Sequence, residues 1–267
     1  MTPVQIVENA LAEDIGTGDV TTTLCVPAEL TAHARIIARQ PLIVAGTSLL
    51  PLLFENPEVR AHDGDRLDEG GEICLVDGPA HLLLSRERVA LNFLQRLCGI
   101  ATLTRKYVDA VSGTNCRILD TRKTTPGLRA LEKMATAAGG AVNHRMGLYD
   151  AVLIKNNHIT AAGGVRAALA LARHTALPVE IEVRSIAELN EALDCGATHL
   201  LLDNLTPREA AAWIRTIAGR ATVELSGGIT LETVRAYAET GADFISVGAL
   251  THSAPAADIN FRLELDR

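Results

Sequence analysis

The feature that most constrains the fold is a repeat of short apolar runs and helical patterns after residue 116. The runs are RILD, DAVLIK, VEIEV, HLLLD, TVELS and FISVG, and the helical patterns fall at about 127–138, 162–174, 185–195, 206–218 and 230–240. Ser185, Thr206 and Thr230 are predicted helix caps. Strands that alternate with helices pair in parallel, and buried parallel strands are nearly unbroken runs of Val, Ile and Leu. The sequence therefore predicts a parallel sheet covered by helices.

Residues that could bind a ligand or take part in catalysis stand at the carboxyl ends of these runs. They are Asp120, Arg122, Lys123, Lys155, Glu182, Asp203, Ser226 and Gly248. In a barrel of parallel strands all such ends meet at one mouth, whereas a doubly wound sheet gathers them mainly at its switch point. The distribution favours a barrel, although six clear units are fewer than eight.

The first hundred residues have a different pattern. THARIIARQ alternates, GEICLVDGPAHLLLSRER predicts a hairpin that turns at Asp77-Gly78-Pro79, and RVALNFLQRLCGIATLTRKYVDAV predicts a long helix. The final DINFRLEL alternates again and could return as a strand to the first sheet. We therefore predict an N-terminal α/β domain over 1–112, with 256–267 as its candidate extra strand, and an α/β barrel over 113–255.

Positive charge is concentrated in the middle of an acidic chain. Residues 117–155 carry seven Lys or Arg against three acids, a balance of +4, while the whole chain of 267 residues carries −7, which leaves −11 elsewhere. Such a focused field suits the capture of a small anion. Aromatic residues make up only 3% of the chain, so stacking platforms for bases are scarce and nucleic acid is not expected as a partner.

Cysteine usage and the N-terminus indicate the compartment. The five cysteines are widely spaced without a C-x-x-C pair, which predicts reduced thiols in the core. The segment MTPVQIVENALAEDIG has neither the basic start nor the apolar centre of a signal peptide, and no apolar run approaches membrane-spanning length. We expect a cytoplasmic protein without a membrane partner.

Three cationic groups are candidate anion ligands. Arg122 and Lys123 lie between a buried run and the turn TTPG, where a guanidinium and an ammonium suit a carboxylate or phosphate; the alternative is a solvated basic turn. His144 and Arg145 are bracketed by glycines, which favours ligand contact over a structural histidine. Lys155 ends AVLIK and needs either a ligand or an ion pair with Glu182 or Asp203.

Acids and a glycine turn complete the candidate site. Glu180 and Glu182 alternate within VEIEV and so share one face of the strand. Glu182 and Asp203 could bind a divalent metal or sugar hydroxyls, or serve only as counterions, and the sequence leaves both open. The turn Ser226-Gly227-Gly228 leads towards a predicted helix start, and this turn together with Gly248 predicts a phosphate site.

The chain resembles the type II, decarboxylating quinolinate phosphoribosyltransferases nearly end to end. The matching stretches are EDIGTGDVTT, ERVALNFLQRLCGIAT, DTRKTTPGLRALEK, GGAVNHRMGLYDAVLIKNNH, VEIEV, LLLDN, ELSGGI and ISVGALTHS. Departures are Cys98, Met134 and Ala137, where the family usually has serine, tyrosine and arginine. The resemblance implies an N-terminal α/β sandwich, an open, roughly seven-stranded TIM-like α/β barrel, and active sites shared across a homodimer, or within a higher oligomer.

The resemblance also implies an activity. Such an enzyme, a nicotinate-nucleotide diphosphorylase of the pentosyltransferase class, transfers phosphoribosyl from phosphoribosyl diphosphate to quinolinate. Quinolinate is decarboxylated, and nicotinate mononucleotide, diphosphate and CO2 are formed in de novo NAD biosynthesis. Magnesium would accompany phosphoribosyl diphosphate, and no organic cofactor is implied.

Residue roles follow from the resemblance by motif position. Arg122, Lys123, His144, Arg145 and Lys155 would meet the quinolinate carboxylates and the phosphates, and Glu182 and Asp203 would meet ribose hydroxyls or magnesium. Ser226, Gly227, Gly228 and Gly248 would hold the 5′-phosphate, and Arg88 in SRERVALN would enter the neighbouring subunit's site. Lys123, Lys155, Glu182 and Asp203 are the expected catalytic residues.

Two other classes of protein remain as alternatives. A non-catalytic anion-binding barrel would keep the glycine turn but would not need Lys155 and acids at neighbouring strand ends. A sugar-phosphate isomerase would normally show a carboxylate or cysteine pair as acid and base, and no convincing pair is found. A more distant group, the molybdenum-operon pyrophosphorylase-like proteins, tends to lack the lysine and NH that IKNNH retains here.

Overall fold

The computed structural model describes residues 1–265, which form two compact units. The first unit contains residues 1–105, 124–140 and 250–265, and the second contains 106–123 and 141–249. In this division the first segment ends at 105 instead of 112, the C-terminal segment that joins it begins at 250 instead of 256, and residues 124–140 return to the first unit. There Leu131 and Ala135 are buried in the hydrophobic core.

Helices and strands alternate along most of the chain. The helices are α1 Pro3–Ile15, α2 Val20–Cys25, α3 Leu50–Leu53, α4 Ala80–Ala110, α5 Arg129–Ala138, α6 Asn156–Ala162, α7 Val165–Ala172, α8 Ile186–Asp194, α9 Pro207–Ile217, α10 Val234–Ala238 and α11 Ala249–His252. The strands are β1 Thr31–Ala38, β2 Leu42–Ile43, β3 Glu58–Val59, β4 Arg66–Leu67, β5 Glu72–Pro79, β6 Arg117–Leu119, β7 Val152–Ile154, β8 Val179–Val183, β9 His199–Asp203, β10 Thr222–Ser226, β11 Phe244–Ser246 and β12 Ile259–Glu264.

The first unit is built on a four-stranded sheet in the order β12-β1-β5-β3, and β2 pairs separately with β4. Ile36 in β1 lies opposite Phe261 in β12 and Cys74 in β5, and all three are buried. The alternating C-terminal segment is therefore a strand of the first sheet. Residues 266–267 of the predicted 256–267 segment lie outside the described residues.

The predicted hairpin at Asp77-Gly78-Pro79 is wrong. These residues lie within β5, where Gly78 pairs with Ala32 and Pro79 pairs with Thr31. Pro79 is the last residue of β5. The following HLLLSRER begins α4 instead of forming a return strand.

α4 packs tightly against the C-terminal segment of the first unit at Gly99. A Cβ atom placed on Gly99 would lie 2.0 Å from the carbonyl oxygen of Pro255. Gly99 stands in the interior of a helix, where alanine would ordinarily be favoured. The close backbone contact therefore explains the glycine.

We expect Gly99→Ala to lower the free energy of unfolding by at least ~2 kcal/mol, because overpacking against backbone outweighs the helix propensity gained. Gly78→Ala is the matched control, since no atom lies within 4 Å of the position that a Cβ atom would take there. Urea unfolding of both variants measures the difference. A Gly99→Ala protein as stable as wild type would contradict the contact.

The second unit contains a six-stranded parallel sheet in the order β6-β11-β10-β9-β8-β7. One parallel bridge pairs Leu119 of β6 with Val142, so a single residue lies where a seventh strand would pair with β6. Within residues 1–265 no further strand pairing closes this sheet into a barrel. All six predicted apolar runs contain the observed strands.

Alternate residues of these strands divide the sheet into an apolar and a polar face. Buried apolar side chains include Ile181, Val183, Leu200, Leu202, Val223, Leu225 and Ile245. The intervening positions include the polar residues Glu180, Glu182, Asp203, Glu224, Ser226 and Ser246, although the buried Leu201 also belongs to them. We call the second set the polar face. The period of two along a strand places these side chains on the same side.

The predicted helix caps are partly confirmed. Ser185 accepts the N–H of Glu188 at the start of α8, and Thr206 forms a capping box at the start of α9. Thr230 is not a cap, because α10 begins only at Val234. The predicted helix 162–174 is interrupted at Gly163 and Gly164, whose φ angles of 89° and 131° end α6 before α7 begins.

The cysteines are free, as predicted, and Cys74, Cys98, Cys116 and Cys195 are buried. Cys25 is exposed, so the expectation that all five lie in the core is wrong for that residue. Among the described helices, none combines the length and the apolar character needed to cross a bilayer.

Candidate active site

Strand register brings the predicted acids to one edge of the second unit's sheet. Asp203 ends β9 directly opposite Ser226 at the end of β10, and Glu182 in β8 lies opposite Leu201, two residues before Asp203. Lys155 immediately follows β7, the neighbour of β8. The predicted convergence of these four residues is therefore present in the structure.

Lys155 and Glu182 form an ion pair. Lys155 Nζ lies 2.9 Å from Glu182 Oε2. The glutamate side chain is 8% exposed and the lysine side chain is 48% exposed. The ion pair anticipated as the alternative for Lys155 is thus present, yet half of the lysine side chain remains accessible to solvent.

Asp203 lies in an environment that disfavours its charge. Burial raises the pKa of this carboxyl, and the negative charge of Glu182 raises it further, whereas Lys155 and Lys123 oppose the shift. Asp203 Oδ2 also accepts a hydrogen bond of 2.7 Å from Asn204 Nδ2. Two crowded carboxylates of this kind fit a divalent cation or the hydroxyl groups of a sugar, since either relieves their repulsion.

Arg145 shows the complementary crowding of cations. Burial lowers the pKa of its guanidinium, and the positive charge of Arg122 lowers it further. One end of the guanidinium is anchored, because its NH1 group donates to the carbonyl oxygen of Ala151 at 2.9 Å. An anion placed between Arg122 and Arg145 would relieve their repulsion. This observation supports the predicted carboxylate or phosphate contact.

Asp120 holds the loop that carries His144 and Arg145. Its Oδ1 accepts the backbone N–H of His144 at 2.8 Å, and its Oδ2 accepts from Asn143 Nδ2 at 2.6 Å. Asp120 is fully buried at the end of β6. Its carboxylate therefore fixes the loop of Asn143 and His144 by hydrogen bonds and is not exposed at the strand end.

His144 faces two glutamates of the polar face. Its Nε2 lies 3.5 Å from Glu180 Oε2 and 3.4 Å from Glu224 Oε2. Its Nδ1 accepts the backbone N–H of Arg145 at 2.7 Å. Both ring nitrogens thus have protein partners, which the sequence did not reveal.

The protons of this cluster belong to the group rather than to one residue. Glu180 and Glu224 raise the pKa of His144 to about 9, and burial raises the pKa of Glu180. With a pKa of about 9 for His144, the cluster retains at neutral pH a proton that an isolated histidine would largely release. Because Nδ1 accepts an N–H, the ring proton that faces the glutamates lies on Nε2.

The glycine turn is positioned by its backbone. Gly227 and Gly228 have φ angles of 97° and 60°, and a Cβ atom on Gly227 would lie 2.3 Å from Asn204 Oδ1. The helix start predicted at Thr230 is absent, because α10 begins later and is only five residues long. The turn and Gly248, which lies just beyond β11, remain candidates for phosphate contact through their backbone alone.

The remaining predicted ligands are Arg88, Arg122 and Lys123. Arg122 and Lys123 are exposed in the second unit, directly after β6. Arg88 is exposed on α4 of the first unit. Sequence reasoning missed Glu224 entirely, although TVELS alternates in the same way as VEIEV and could have revealed it.

The sequence matches two family descriptions. "Quinolinate phosphoribosyl transferase, C-terminal domain" covers residues 100–262, and "Quinolinate phosphoribosyl transferase, N-terminal domain" covers residues 19–98. The chain belongs to the quinolinate phosphoribosyltransferase family. The resemblance inferred from the motifs is thereby confirmed.

Relatives of this family match along nearly the whole chain. A probable nicotinate-nucleotide pyrophosphorylase [carboxylating] of Bacillus subtilis (strain 168) is 42% identical, covering 98% of this chain and 93% of the relative. A chloroplastic nicotinate-nucleotide pyrophosphorylase [carboxylating] of Arabidopsis thaliana is 40% identical, covering 98% and 82%.

Solved structures of the family have the same fold. NadC from Streptococcus pyogenes gives a TM-score of 0.94 at 37% identity, covering 100% of this chain and 99% of that chain. Nicotinate-nucleotide pyrophosphorylase from Ehrlichia chaffeensis gives 0.94 at 36% identity, covering 99% of both. The predicted α/β class, with an N-terminal sheet domain and a C-terminal parallel-stranded domain, is confirmed.

The His144 cluster predicts a pH-dependent stability. A folded pKa of about 9, above the ordinary value of 6.5, means that the stabilisation is fully present below pH 6.5 and is lost as pH rises through 9. We expect the stability difference between wild type and His144→Gln to shrink by about 3 kcal/mol from pH 6 to pH 10, since each pKa unit corresponds to about 1.4 kcal/mol.

Urea unfolding at both pH values measures this change. His174→Gln, which alters an exposed histidine of the same unit, serves as the control and should show no comparable trend. A difference that stays constant from pH 6 to pH 10 would show that the cluster does not retain the proton.

Proposed function

We propose that the carboxyl edge of the second unit's sheet binds quinolinate and phosphoribosyl diphosphate and transfers the phosphoribosyl group between them with loss of CO2. The products are nicotinate mononucleotide, diphosphate and CO2, as required for de novo NAD biosynthesis. The single observation that carries this proposal is the convergence of Lys155, Glu182, Asp203 and Ser226 at that edge, where Lys155 Nζ lies 2.9 Å from Glu182 Oε2. One edge thereby offers cations for carboxylates and acids for a sugar.

The arrangement divides the two substrates between two groups of residues. Arg122 and Arg145, which follows His144 in the chain, form the cationic side, and we assign the quinolinate carboxylates to their guanidinium groups. Lys155, Glu182 and Asp203 form the other side, where carboxylate oxygens can accept hydrogen bonds from ribose hydroxyls. Lys123 contributes positive charge near Asp203 and is assigned to the phosphates. The turn Ser226-Gly227-Gly228, with Gly248, is assigned to the 5′-phosphate.

The chemistry requires positioning and charge stabilisation. The pyridine nitrogen forms a bond to the anomeric carbon of ribose while the bond from that carbon to diphosphate breaks, and diphosphate leaves with the electron pair. Cations near the leaving group stabilise its charge, and holding both reactants in place lowers the entropic barrier. Lys123 and Lys155 are the residues that we assign to this stabilisation.

Decarboxylation follows on the same ring. The bond from C2 to the carboxylate breaks, CO2 leaves, and the electron pair remains on C2 next to the positively charged ring nitrogen until C2 takes up a proton. The ring itself stabilises this carbanion. The proposed reaction therefore needs no organic cofactor as an electron sink.

The residues at the acidic side fit a magnesium ion. Glu182 and Asp203 offer carboxylate oxygens, and burial together with the charge of Glu182 already raises the pKa of Asp203, so a cation would be stabilised there. We propose that these two residues hold magnesium together with the diphosphate of the substrate. Bound there, magnesium would neutralise charge on the departing diphosphate.

We also propose that the enzyme is a homodimer, or a higher oligomer, with Arg88 of one chain serving the site of another. The support is the SRERVALN motif and the exposure of Arg88 on α4. A cytoplasmic location remains a prediction from the sequence.

Activity is tested by incubating the protein with quinolinate, phosphoribosyl diphosphate and magnesium while CO2 and diphosphate are followed. We expect equal amounts of CO2 and diphosphate.

Arg145→Ala should raise the KM for quinolinate roughly 10- to 100-fold, since a charge-assisted hydrogen bond contributes about 1.5–3 kcal/mol. Arg166→Ala removes an exposed arginine of the same unit and should leave the kinetics unchanged. Absence of both products would exclude the proposed function, and near-normal kinetics of Arg145→Ala would exclude the role of that residue.

Shared sites are tested by mixing two inactive variants. Arg88→Ala and Lys155→Ala should each be inactive, but mixed dimers should regain partial activity because one of their sites is free of both substitutions. The mixed population is verified by differently tagged chains. Verified mixed dimers without any recovered activity would show that Arg88 does not serve a neighbour.

A further inference from the structure

A buried cluster of one histidine and two glutamates lies on the polar face of the second unit's sheet. Glu180 on β8 and Glu224 on β10 flank β9 and converge on the ring of His144, at 3.5 and 3.4 Å from Nε2. The side chains of His144 and Glu180 are each 16% exposed and that of Glu224 is 6% exposed. The proposed transfer reaction assigns no task to either glutamate.

General stability does not account for two acids at these positions. Buried parallel strands are usually rich in Val, Ile and Leu, and buried ionic clusters are often no more stable than well-packed apolar residues of similar volume. Two carboxylates also add negative charge close to a site that must accept anionic substrates. The presence of Glu180 and Glu224 therefore calls for an explanation through what they do to His144.

A metal ion is one explanation, and the hydrogen bonding argues against it. One ligand atom from each of the three residues lies within 4.8 Å of the others, which a metal could bridge. A metal-bound histidine has no proton on the ligating nitrogen and normally donates a hydrogen bond from the other. Here Nδ1 accepts the N–H of Arg145, so Nε2 carries the proton and faces the carboxylates as a donor.

The contacts that hold the His144 ring also reach the backbone of Arg145. The ring is held at Nε2 by the two glutamates, and the backbone N–H of His144 is held by Asp120 at 2.8 Å. With the ring fixed, Nδ1 sets the position of the Arg145 backbone through a bond of 2.7 Å. The guanidinium of Arg145 is anchored to Ala151 at one nitrogen and has further N–H groups for an anion.

We propose that Glu180 and Glu224 are positioning residues that clamp His144 and, through its Nδ1, place Arg145 to bind a carboxylate of the substrate. Neither glutamate touches the substrate; both act through His144. The proposal rests on the function proposed above, in which Arg145 binds quinolinate. The clamp thus makes the affinity for quinolinate depend on two acids that lie beneath the site.

The test compares two double variants with wild type. Glu180→Leu with Glu224→Leu removes both acceptors, and we expect the KM for quinolinate to rise roughly 10-fold or more, because a small displacement of a binding group has a large effect. The KM for phosphoribosyl diphosphate and kcat should change less than about 3-fold. Glu180→Gln with Glu224→Gln keeps amide oxygens that accept the Nε2 proton, so it should recover most of the affinity.

Controls separate positioning from folding. Glu239→Leu removes an exposed glutamate that pairs with Arg235 and should change none of these parameters. Thermal unfolding shows whether the leucine variant folds cooperatively, and we expect a lowered Tm, because the Nε2 proton of His144 loses both carboxylate acceptors. If that variant does not fold, calorimetric binding of quinolinate to Glu224→Leu alone provides the same comparison.

Each outcome decides the proposal. An unchanged KM for quinolinate in a folded leucine variant overturns it, and so does a parallel loss of affinity for both substrates, which would mark a structural role. A wild-type protein that forms no product would instead reject the proposed function. If the wild type is active and the leucine variant has the same KM for quinolinate, the positioning role of the two glutamates is rejected and the proposed function stands.

Discussion

The site depends on the register of the parallel strands in the second unit. Because each strand is in register with its neighbour, Asp203 lies opposite Ser226, and Glu182 lies two residues before that level on the next strand. Side chains of like charge are thereby placed close together. Burial and Glu182 disfavour the charge of Asp203, while burial and Arg122 disfavour the charge of Arg145.

This crowding connects the fold with the proposed chemistry. An acid pair is relieved by a cation or by hydroxyl groups, and an arginine pair is relieved by an anion. Both kinds of group are present in the substrates that we propose. The protein holds the charges in place before the substrates arrive, which is the condition for electrostatic stabilisation of a transition state.

Much of this fold could be predicted because its information is local. The six parallel strands coincide with continuous apolar runs, and Ser185 and Thr206 cap helices through residues three positions away. The errors arose where distant segments decide the structure. Gly78-Pro79 looks like a turn but pairs with β1, and residues 124–140 follow β6 in the chain but pack in the first unit.

For the candidate site, too, the positions that depend on local sequence were predictable and the contacts between distant residues were not. Positions at strand ends identified Lys155, Glu182 and Asp203, because parallel strands share one carboxyl edge. The partners of His144 could not be foreseen, since Glu224 is 80 residues away and meets the ring only through the order of the strands. Asp120 was predicted as a strand-end residue, but its hydrogen bonds to Asn143 and His144 became visible only in three dimensions.

The most direct measurement uses quinolinate labelled with carbon-13 in the carboxylate next to the ring nitrogen. Mass spectrometry then follows the label in the presence and absence of phosphoribosyl diphosphate. The account predicts that all label leaves as CO2, in a one-to-one ratio with diphosphate, and only when phosphoribosyl diphosphate is present. Label that stays in the nucleotide, or CO2 released without the second substrate, would contradict it.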